Sequence, residues 1–139
     1  MASGCSQEEF LGNAFGEPVD TVGRVGFDLP LAIPPLAPSR HDGQGRRVFD
    51  LTAQAGRREF LGRTTSTWGV NGDYLRPTLR AHRGEQVLIN LHSRLDETTT
   101  MHWHGMHLPA SADGGPHQTS TPGQTWSPSW RINQPVATL

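Results

Sequence analysis

Four of the seven histidines, His102, His104, His107 and His117, lie between positions 102 and 117. A neutral imidazole is a good ligand for copper, zinc, iron and nickel. Three β-branched threonines precede the first of them and favour a strand. His102 and His104 are then predicted to point to one side, about 6.6 Å apart along the chain, with Trp103 facing the other side. Such a pair could hold one metal ion or give one ligand to each of two.

A carboxylate and a flexible turn follow the histidine pair. Asp113 begins residues 113–116, an Asp-Gly-Gly-Pro segment whose composition predicts a turn. The carboxylate could lie beside the imidazoles in this turn. His107 and His117 are predicted to lie in loops, and whether either touches metal is left open.

Several other kinds of site are excluded by what the sequence lacks. A blue-copper centre needs a thiolate beside two histidines, and the single cysteine, Cys5, lies near the other end of the chain. A cupin would place a glutamate within residues 106–112, which contain none. No Gly-x-Ser-x-Gly, CxxC, Walker or GxGxxG motif is present. Histidines with an incidental role in a structural domain are the alternative to a metal site.

Composition limits the class of protein and its partners. The chain has 139 residues, 34% of them hydrophobic, which suits one globular domain. All 12 basic residues are arginine and the net charge is -1, so neither nucleic acid nor anionic lipid is an expected partner. No apolar run is long enough for a membrane-spanning helix. One cysteine cannot form an internal disulfide.

The distribution of glycine, proline and apolar residues predicts an all-β protein. The 16 glycines and 11 prolines punctuate the whole chain, which favours short strands joined by turns. Strands are predicted at 47–53, 59–67, 78–82, 86–94, 98–103 and 125–132, and turns at 55–56, 71–73, 83–84 and 122–123. In the fourth strand, Val87, Ile89 and Leu91 are predicted to share one face. This rhythm indicates a sandwich or a barrel.

The N-terminal part of the chain lacks apolar periodicity. Residues 1–28 are therefore predicted to be a flexible segment preceding the domain. Ala2-Ser3-Gly4-Cys5 resembles the end of a bacterial lipoprotein signal, and an incidental cysteine is the alternative. The protein is expected to be exported, to the periplasm or the cell surface, with Cys5 as a candidate lipid anchor.

The motifs together resemble the first cupredoxin domain of the multicopper oxidases, the family of laccases, bilirubin oxidases and bacterial cuprous oxidases. The resemblance begins near Leu29, is strongest at residues 99–105 and 113–118, and continues to 133–138. It implies a cupredoxin-like Greek-key β-sandwich or barrel over residues 29–139, the plastocyanin-like domain of such an enzyme.

The resemblance implies copper as the cofactor. In the family, the position of His102 binds the type 2 copper and that of His104 binds one of the paired type 3 coppers. Both belong to a trinuclear cluster that reduces dioxygen to water, using electrons from a small reducing substrate such as a phenol or a metal ion. The position of Asp113 is the catalytic one for proton delivery.

The family pattern also continues beyond Leu139, with a further His-x-His and a domain that carries the type 1 copper. The domain is therefore expected to be C-terminally incomplete and to lack its last strands. Its expected partners are the remaining cupredoxin domains, from the same protein or a neighbouring subunit, together with dioxygen and the substrate. The parent is expected to be an oxidoreductase, and this chain alone is not expected to be active. The alternative function is a non-enzymatic cupredoxin-like copper-binding or carrier module.

Overall fold

The computed structural model describes Pro30 and residues 33–135. This part of the chain is nearly all β, as predicted, with one single-turn 3-10 helix at Ala110–Ala112. None of its helical segments is long and apolar enough to cross a membrane. The strands are β1 (Arg40–His41), β2 (Arg47–Phe60), β3 (Arg63–Val70), β4 (Gln86–Ser93), β5 (Thr125–Trp126) and β6 (Ser129–Arg131). The predicted flexible segment, the domain start at Leu29 and the Cys5 anchor lie outside the described residues.

The six strands form one connected sheet centred on β2 and β4. These two strands run parallel, in a register from Arg47 opposite Val87 to Ala53 opposite Ser93. β1 and β3 pair antiparallel with β2, and β5 and β6 pair antiparallel with β4. Ala53 pairs with both Val70 and Ser93, so β3 and β4 lie on opposite edges of β2.

The inner face of the central pair forms the core. Val87, Ile89 and Leu91 of β4 are at most 2% exposed, which confirms that they share one face. Phe49 and Leu51 of β2 lie opposite Ile89 and Leu91 and are at most 4% exposed. Burying one such side chain contributes about 1.5–3 kcal/mol, so the parallel pair supplies much of the stability of the domain.

The predicted strand 59–67 is wrong, because a two-residue turn divides it. β2 continues to Phe60, through the turn predicted at residues 55–56, and β3 starts at Arg63. Leu61 and Gly62 between them have φ angles of 48° and 79°, as in a type I′ hairpin turn. That turn is usually Asn-Gly or Asp-Gly, which explains why Leu-Gly was not recognised.

Two other predicted strands are absent from the described sheet, and a third is divided. Segment 78–82 makes only an isolated bridge, from Thr78 to Leu36, and segment 98–103 makes only one, from Thr99 to Ser120. The predicted strand 125–132 is divided into β5 and β6, with Pro128 between them. The strand predicted at 86–94 is confirmed to within one residue. The strand predicted at 47–53 is confirmed at its start, but β2 is twice as long and ends at Phe60. The turns predicted at 71–73, 83–84 and 122–123 lie outside the strands, as expected.

The loop after β3 lies against one face of the β2–β3 hairpin. A Cβ atom added to Gly56 would lie 2.5 Å from the Cα of Asp73, and one added to Gly69 would lie 2.5 Å from the carbonyl oxygen of Gly72. The backbone of the loop can therefore approach only because these two hairpin positions have no side chain. Asn71 completes the contact, since its side-chain oxygen accepts a hydrogen bond of 2.7 Å from the backbone N–H of Thr52.

A charged pair links the start of β2 to the turn before β4. Arg47 donates from Nε to Glu85 Oε2 at 2.9 Å and from Nη2 to Oε1 at 2.7 Å. The backbone N–H of His82 donates to the same carboxylate at 2.7 Å. The hydrogen bonds from Arg47, with that from His82, lower the pKa of Glu85 from 4.5 to about 2.

The depressed pKa of Glu85 predicts an acid-dependent loss of stability. The pair stabilises the folded chain fully above about pH 4.5, and the contribution is lost as the pH falls towards 2, because the unfolded chain binds the proton first. Glu85→Gln should lower the free energy of unfolding at pH 7 by about 1–2 kcal/mol. Urea unfolding at several pH values measures this, with the exposed Glu97→Gln as the control. A deficit of constant size down to pH 2 would contradict the assignment.

Candidate metal centre

The histidine pair alternates with a half-buried tryptophan that packs against the core, as predicted. His102 and His104 are exposed, and their ring centroids lie 5.7 Å apart with the rings nearly perpendicular. Trp103 points inward, where its ring centroid lies 5.4 Å from that of Trp130 in the core. Packing of Trp103 therefore sets the direction of both imidazoles, although the segment is not part of the sheet.

Hydrogen bonds on the N-terminal side anchor this segment. The backbone N–H of Thr99 donates to the carbonyl of Ser120 at 3.0 Å, and the N–H of Ser120 donates back at 2.8 Å. The hydroxyl of Thr100 donates to the carbonyl of Gln118 at 3.2 Å. The chain just before His102 is thus tied to the segment that follows the Asp-Gly-Gly-Pro turn.

Asp113 is held beside His102 by close packing of the turn. Asp113 ends the 3-10 helix, whose Ala112 is 3% exposed in the core. Gly114 follows with a φ of 70°, and a Cβ atom there would lie 1.7 Å from the carbonyl oxygen of Met101. Only glycine allows the two backbones to come this close, and the contact places Asp113 next to His102.

The contacts of His102 determine which ring nitrogen carries the proton. Nδ1 lies 3.3 Å from the backbone oxygen of Asp113 and 3.0 Å from its Oδ1. Oδ1 is buried and accepts no well-aligned hydrogen bond within the described chain. Both neighbours of Nδ1 are acceptors, so the neutral tautomer that satisfies this contact carries its proton on Nδ1 and its lone pair on Nε2. A neutral imidazole with a free Nε2 is a metal ligand whose orientation is fixed by its other nitrogen.

A residue that the sequence did not single out controls the turn after His104. The side-chain oxygen of Gln134 accepts a hydrogen bond of 2.6 Å from the backbone N–H of His107. Its amide nitrogen donates to the carbonyl of Gly105 at 3.2 Å. Gln134 is 9% exposed, so these bonds satisfy a buried amide and also fix the turn. No local signal identifies such a residue, because its partners lie 27 and 29 positions away.

The other histidines are not gathered into one cluster. The side chains of His107 and His117 are exposed, and the only hydrogen bond of His107 in the described chain is that of its backbone N–H. Within residues 33–135, no three His, Cys, Asp or Glu side chains stand where they could hold a metal ion together. The pair His102 and His104, with Asp113 behind it, is thus the candidate site.

An apolar cavity of about 990 Å³ borders the histidine pair. The inner face of the sheet forms one wall, through residues such as Phe49 and Ile89, and Trp103 and Trp130 contribute to its lining. The indole N–H groups of both tryptophans are buried and have no partner among the described residues. Both imidazoles also line this cavity, so a bound ion would have an apolar surface on one side.

The donor set fits copper. Two imidazoles are ligands that copper accepts readily, and the contacts of His102 with Asp113 involve Nδ1, which leaves Nε2 available for coordination.

Comparisons with known proteins identify the family of the chain. The family model for multicopper oxidases matches residues 52–139. Multicopper oxidase mco of Staphylococcus epidermidis is 41% identical over 110 residues, 78% of this chain and 25% of that protein. Cell division protein FtsP of Xenorhabdus nematophila is 41% identical over 109 residues, 78% of this chain and 22% of that protein.

The fold is also similar to that of a multicopper oxidase of known structure. The structure of a laccase-like multi-copper oxidase, CueO of Ochrobactrum sp., superimposes with a TM-score of 0.66 and 40% identity, over 76% of this chain and 23% of that one. The predicted cupredoxin-like all-β fold is thereby confirmed. The chain spans about a quarter of the length of the curated relatives it matches. The predicted cofactor, copper, is the one for which the matched family is named. By both sequence and fold, this chain belongs to the multicopper oxidase family.

Proposed function

We propose that this chain is the N-terminal copper-binding part of a multicopper oxidase. The whole protein would oxidise a small reducing substrate, a phenol or a metal ion, and reduce dioxygen to water at a trinuclear copper cluster. His102 would bind the type 2 copper, and His104 would bind one of the type 3 coppers. The observation that carries the proposal is the position of His102 Nδ1, 3.3 Å from the backbone oxygen and 3.0 Å from Oδ1 of Asp113, which turns Nε2 away from these oxygens.

The surrounding residues of the chain orient the two imidazole ligands, His102 and His104. Trp103 is packed inward, Gln134 fixes the turn after His104, and the Asp113 acceptors hold the ring of His102. The ring of His102 and the backbone that carries His104 therefore have little freedom left to lose, and preorganisation of this kind raises metal affinity. Copper, when bound, supplies the one-electron chemistry that reduction of dioxygen requires.

Asp113 would have a second role, in the delivery of protons. Reduction of one dioxygen to water consumes four protons, and a carboxylate close to the site can carry them. Asp113 Oδ1 is buried, while the side chain as a whole is 40% exposed. One oxygen thus faces the histidine and the remainder of the group is open to solvent, as a proton carrier requires.

The rest of the parent protein would complete the site. The remaining cupredoxin domains, in the same protein or in a neighbouring subunit, would supply the other copper ligands and the type 1 copper. We place the protein outside the cytoplasm, with Cys5 as a candidate lipid anchor. A phenolic substrate is supported by the Ochrobactrum relative, whose described activity is towards lignin model compounds.

A second candidate function is a role without oxidase activity. It is supported by the FtsP relatives, which are named for cell division and are as similar to this chain as the oxidases. In that role the histidine pair would hold copper as a carrier or binding module, or would hold no metal.

Removal of the His102 imidazole should deplete copper. In the full-length protein that contains this chain, His102→Ala should remove about one copper per molecule, together with the type 2 signal in electron paramagnetic resonance, because one imidazole ligand is lost. His92→Ala is the control, since His92 bonds Thr125 on the sheet. Unchanged copper content would overturn the assignment of His102. Copper binding by the unaltered protein without dioxygen consumption would favour the second candidate.

Replacement of Asp113 should separate copper binding from turnover. Asp113→Asn keeps the size of the side chain and its backbone acceptor, so copper content should change little. The rate of dioxygen consumption should fall about hundredfold, because the carboxylate that carries protons is lost. Oxygen-electrode rates and copper analysis on the same preparation measure both effects. A normal rate with normal copper content would exclude Asp113 from proton delivery.

A methyl group at Gly114 should displace the turn. Gly114→Ala would clash with the carbonyl oxygen of Met101 and move Asp113 away from His102, so copper affinity should fall about tenfold or more. Gly115→Ala is a matched control, because its Cβ atom would meet only Gln118 Oε1, at 3.5 Å. Equal copper affinity in the two variants would show that the Asp113 contact does not orient the ligand.

A further inference from the structure

The β2–β3 hairpin ends in an apolar tip that projects from the sheet. Pairing of β2 with β4 stops at Ala53, whereas pairing with β3 continues to Phe60, so the last seven residues extend about 23 Å beyond the sheet. Phe60 and Leu61 at its end are 40% and 86% exposed. Tyr74 packs edge-on against Phe60 at 5.0 Å and is 42% exposed. We call Phe60, Leu61 and Tyr74 the hairpin tip.

Neither the turn nor the packing explains the leucine at this tip. Leu61 has a φ of 48°, a left-handed conformation that a leucine adopts at a cost and that asparagine adopts readily. Its side chain is almost fully exposed, so it gains nothing from burial in return. A residue that is unfavourable for its backbone and unsupported by contacts points to selection for binding.

Basic residues are concentrated around the tip. Residues 57–63 carry three arginines against one glutamate, a net charge of +2 in a chain whose total is -1. The side chains of Arg57, Arg58 and Arg63 are all exposed. Arg58 lies 3.7 Å from Asp73, which lowers the net charge of the region to +1 when it is counted, and the other two arginines make no ion pair in the described part of the chain. The near-neutral total therefore conceals a local positive region.

Two of the three arginines lie behind the apolar side chains. Arg58 and Arg57 precede Phe60 by two and three residues, about 7–10 Å, whereas Arg63 pairs with Phe60 across the hairpin and is level with it. Side chains that enter the boundary of the acyl chains by 5–10 Å bring basic groups at this distance to the level of the phosphates.

We propose that the hairpin tip docks the protein onto an anionic membrane surface. Phe60 and Leu61 enter the lipid interface, and Arg57, Arg58 and Arg63 contact the headgroup phosphates. The proposal does not depend on copper or on the histidine pair. It departs from the expectation, taken from net charge alone, that anionic lipid is not a partner.

Sedimentation with vesicles tests the docking of the full 139-residue chain. It should bind vesicles of mixed phosphatidylcholine and phosphatidylglycerol at low salt, release them in high salt, and bind pure phosphatidylcholine much more weakly. Leu61→Asn should lower the affinity about tenfold or more. The same change creates an Asn-Gly turn, which suits type I′, so thermal stability should be kept or raised. Loss of binding then cannot be attributed to unfolding.

Matched variants separate the tip from other exposed surfaces. Ile33→Asn removes an aliphatic residue that is 84% exposed elsewhere and should leave binding unchanged. Arg63→Gln should weaken binding about fivefold. Arg94→Gln should not, because this exposed arginine lies beside Ala53 at the base of the hairpin, away from its tip.

Three outcomes would overturn the docking proposal. Equal binding to anionic and to pure phosphatidylcholine vesicles would show that the binding does not depend on charge and arises from an apolar surface such as the cavity. An unchanged affinity in Leu61→Asn would exclude the tip. Absence of lipid binding, with self-association that Leu61→Asn abolishes, would make the tip a contact between copies of the chain. Vesicle binding that persists after chelation of metal would distinguish this result from any failure of the copper assignment.

Discussion

The parallel pairing of β2 with β4 is the interaction on which the rest of the domain depends. It aligns Phe49 with Ile89 and Leu51 with Leu91 in an apolar layer from which water is excluded. A shift of one residue would turn every one of these side chains to the opposite face, so the register is strongly specified. Trp130 of β6 packs in the same layer, and Trp103 rests on it. The direction of the two histidines is thus a consequence of how the core is packed.

The candidate metal centre is built from irregular segments held by backbone contacts. Gly114 against the carbonyl of Met101, Thr99 against Ser120, and the amide of Gln134 each tie one segment to another. Loops that carry functional side chains are usually positioned in this way by a rigid scaffold. The ion need not create the arrangement, because the acceptor atoms that orient His102 belong to the protein.

The inner and outer halves of the β2–β3 hairpin differ in how strongly the rest of the domain stabilises them. Its inner half is stabilised by pairing with the sheet and by the loop packed over Gly56 and Gly69. Its outer half has two strands only, and it ends on a leucine in an unfavourable backbone conformation. Stability is therefore concentrated where the hairpin joins the domain, while the exposed end retains residues that suit contact with another surface.

Local patterns in the sequence were sufficient for much of this description. The alternation of Val87, Ile89 and Leu91 predicts the central strand, because one buried face imposes a period of two. The spacing of His102, Trp103 and His104 predicts the directions of their side chains for the same reason. The strand predicted at 98–103 is not formed. β-branched residues favour an extended chain, but a strand also needs a partner strand, and in the described residues this segment makes only a single bridge, from Thr99 to Ser120.

Contacts between distant positions required the folded chain. The roles of Gln134 and of the Gly114 contact depend on atoms brought together by the packing of separate segments, and a linear pattern does not encode such distances. The turn at Leu61-Gly62 departs from the usual residue preference, so residue propensities predicted the turn of this hairpin at 55–56 instead. The amino-acid sequence alone determined the family, the all-β class and the candidate ligands, since these follow from motifs and short-range periodicity. The contact of His102 with Asp113, the hydrogen bonds of Gln134 and the projecting basic tip emerged only from the tertiary structure. Each is a relation between residues that folding brings together.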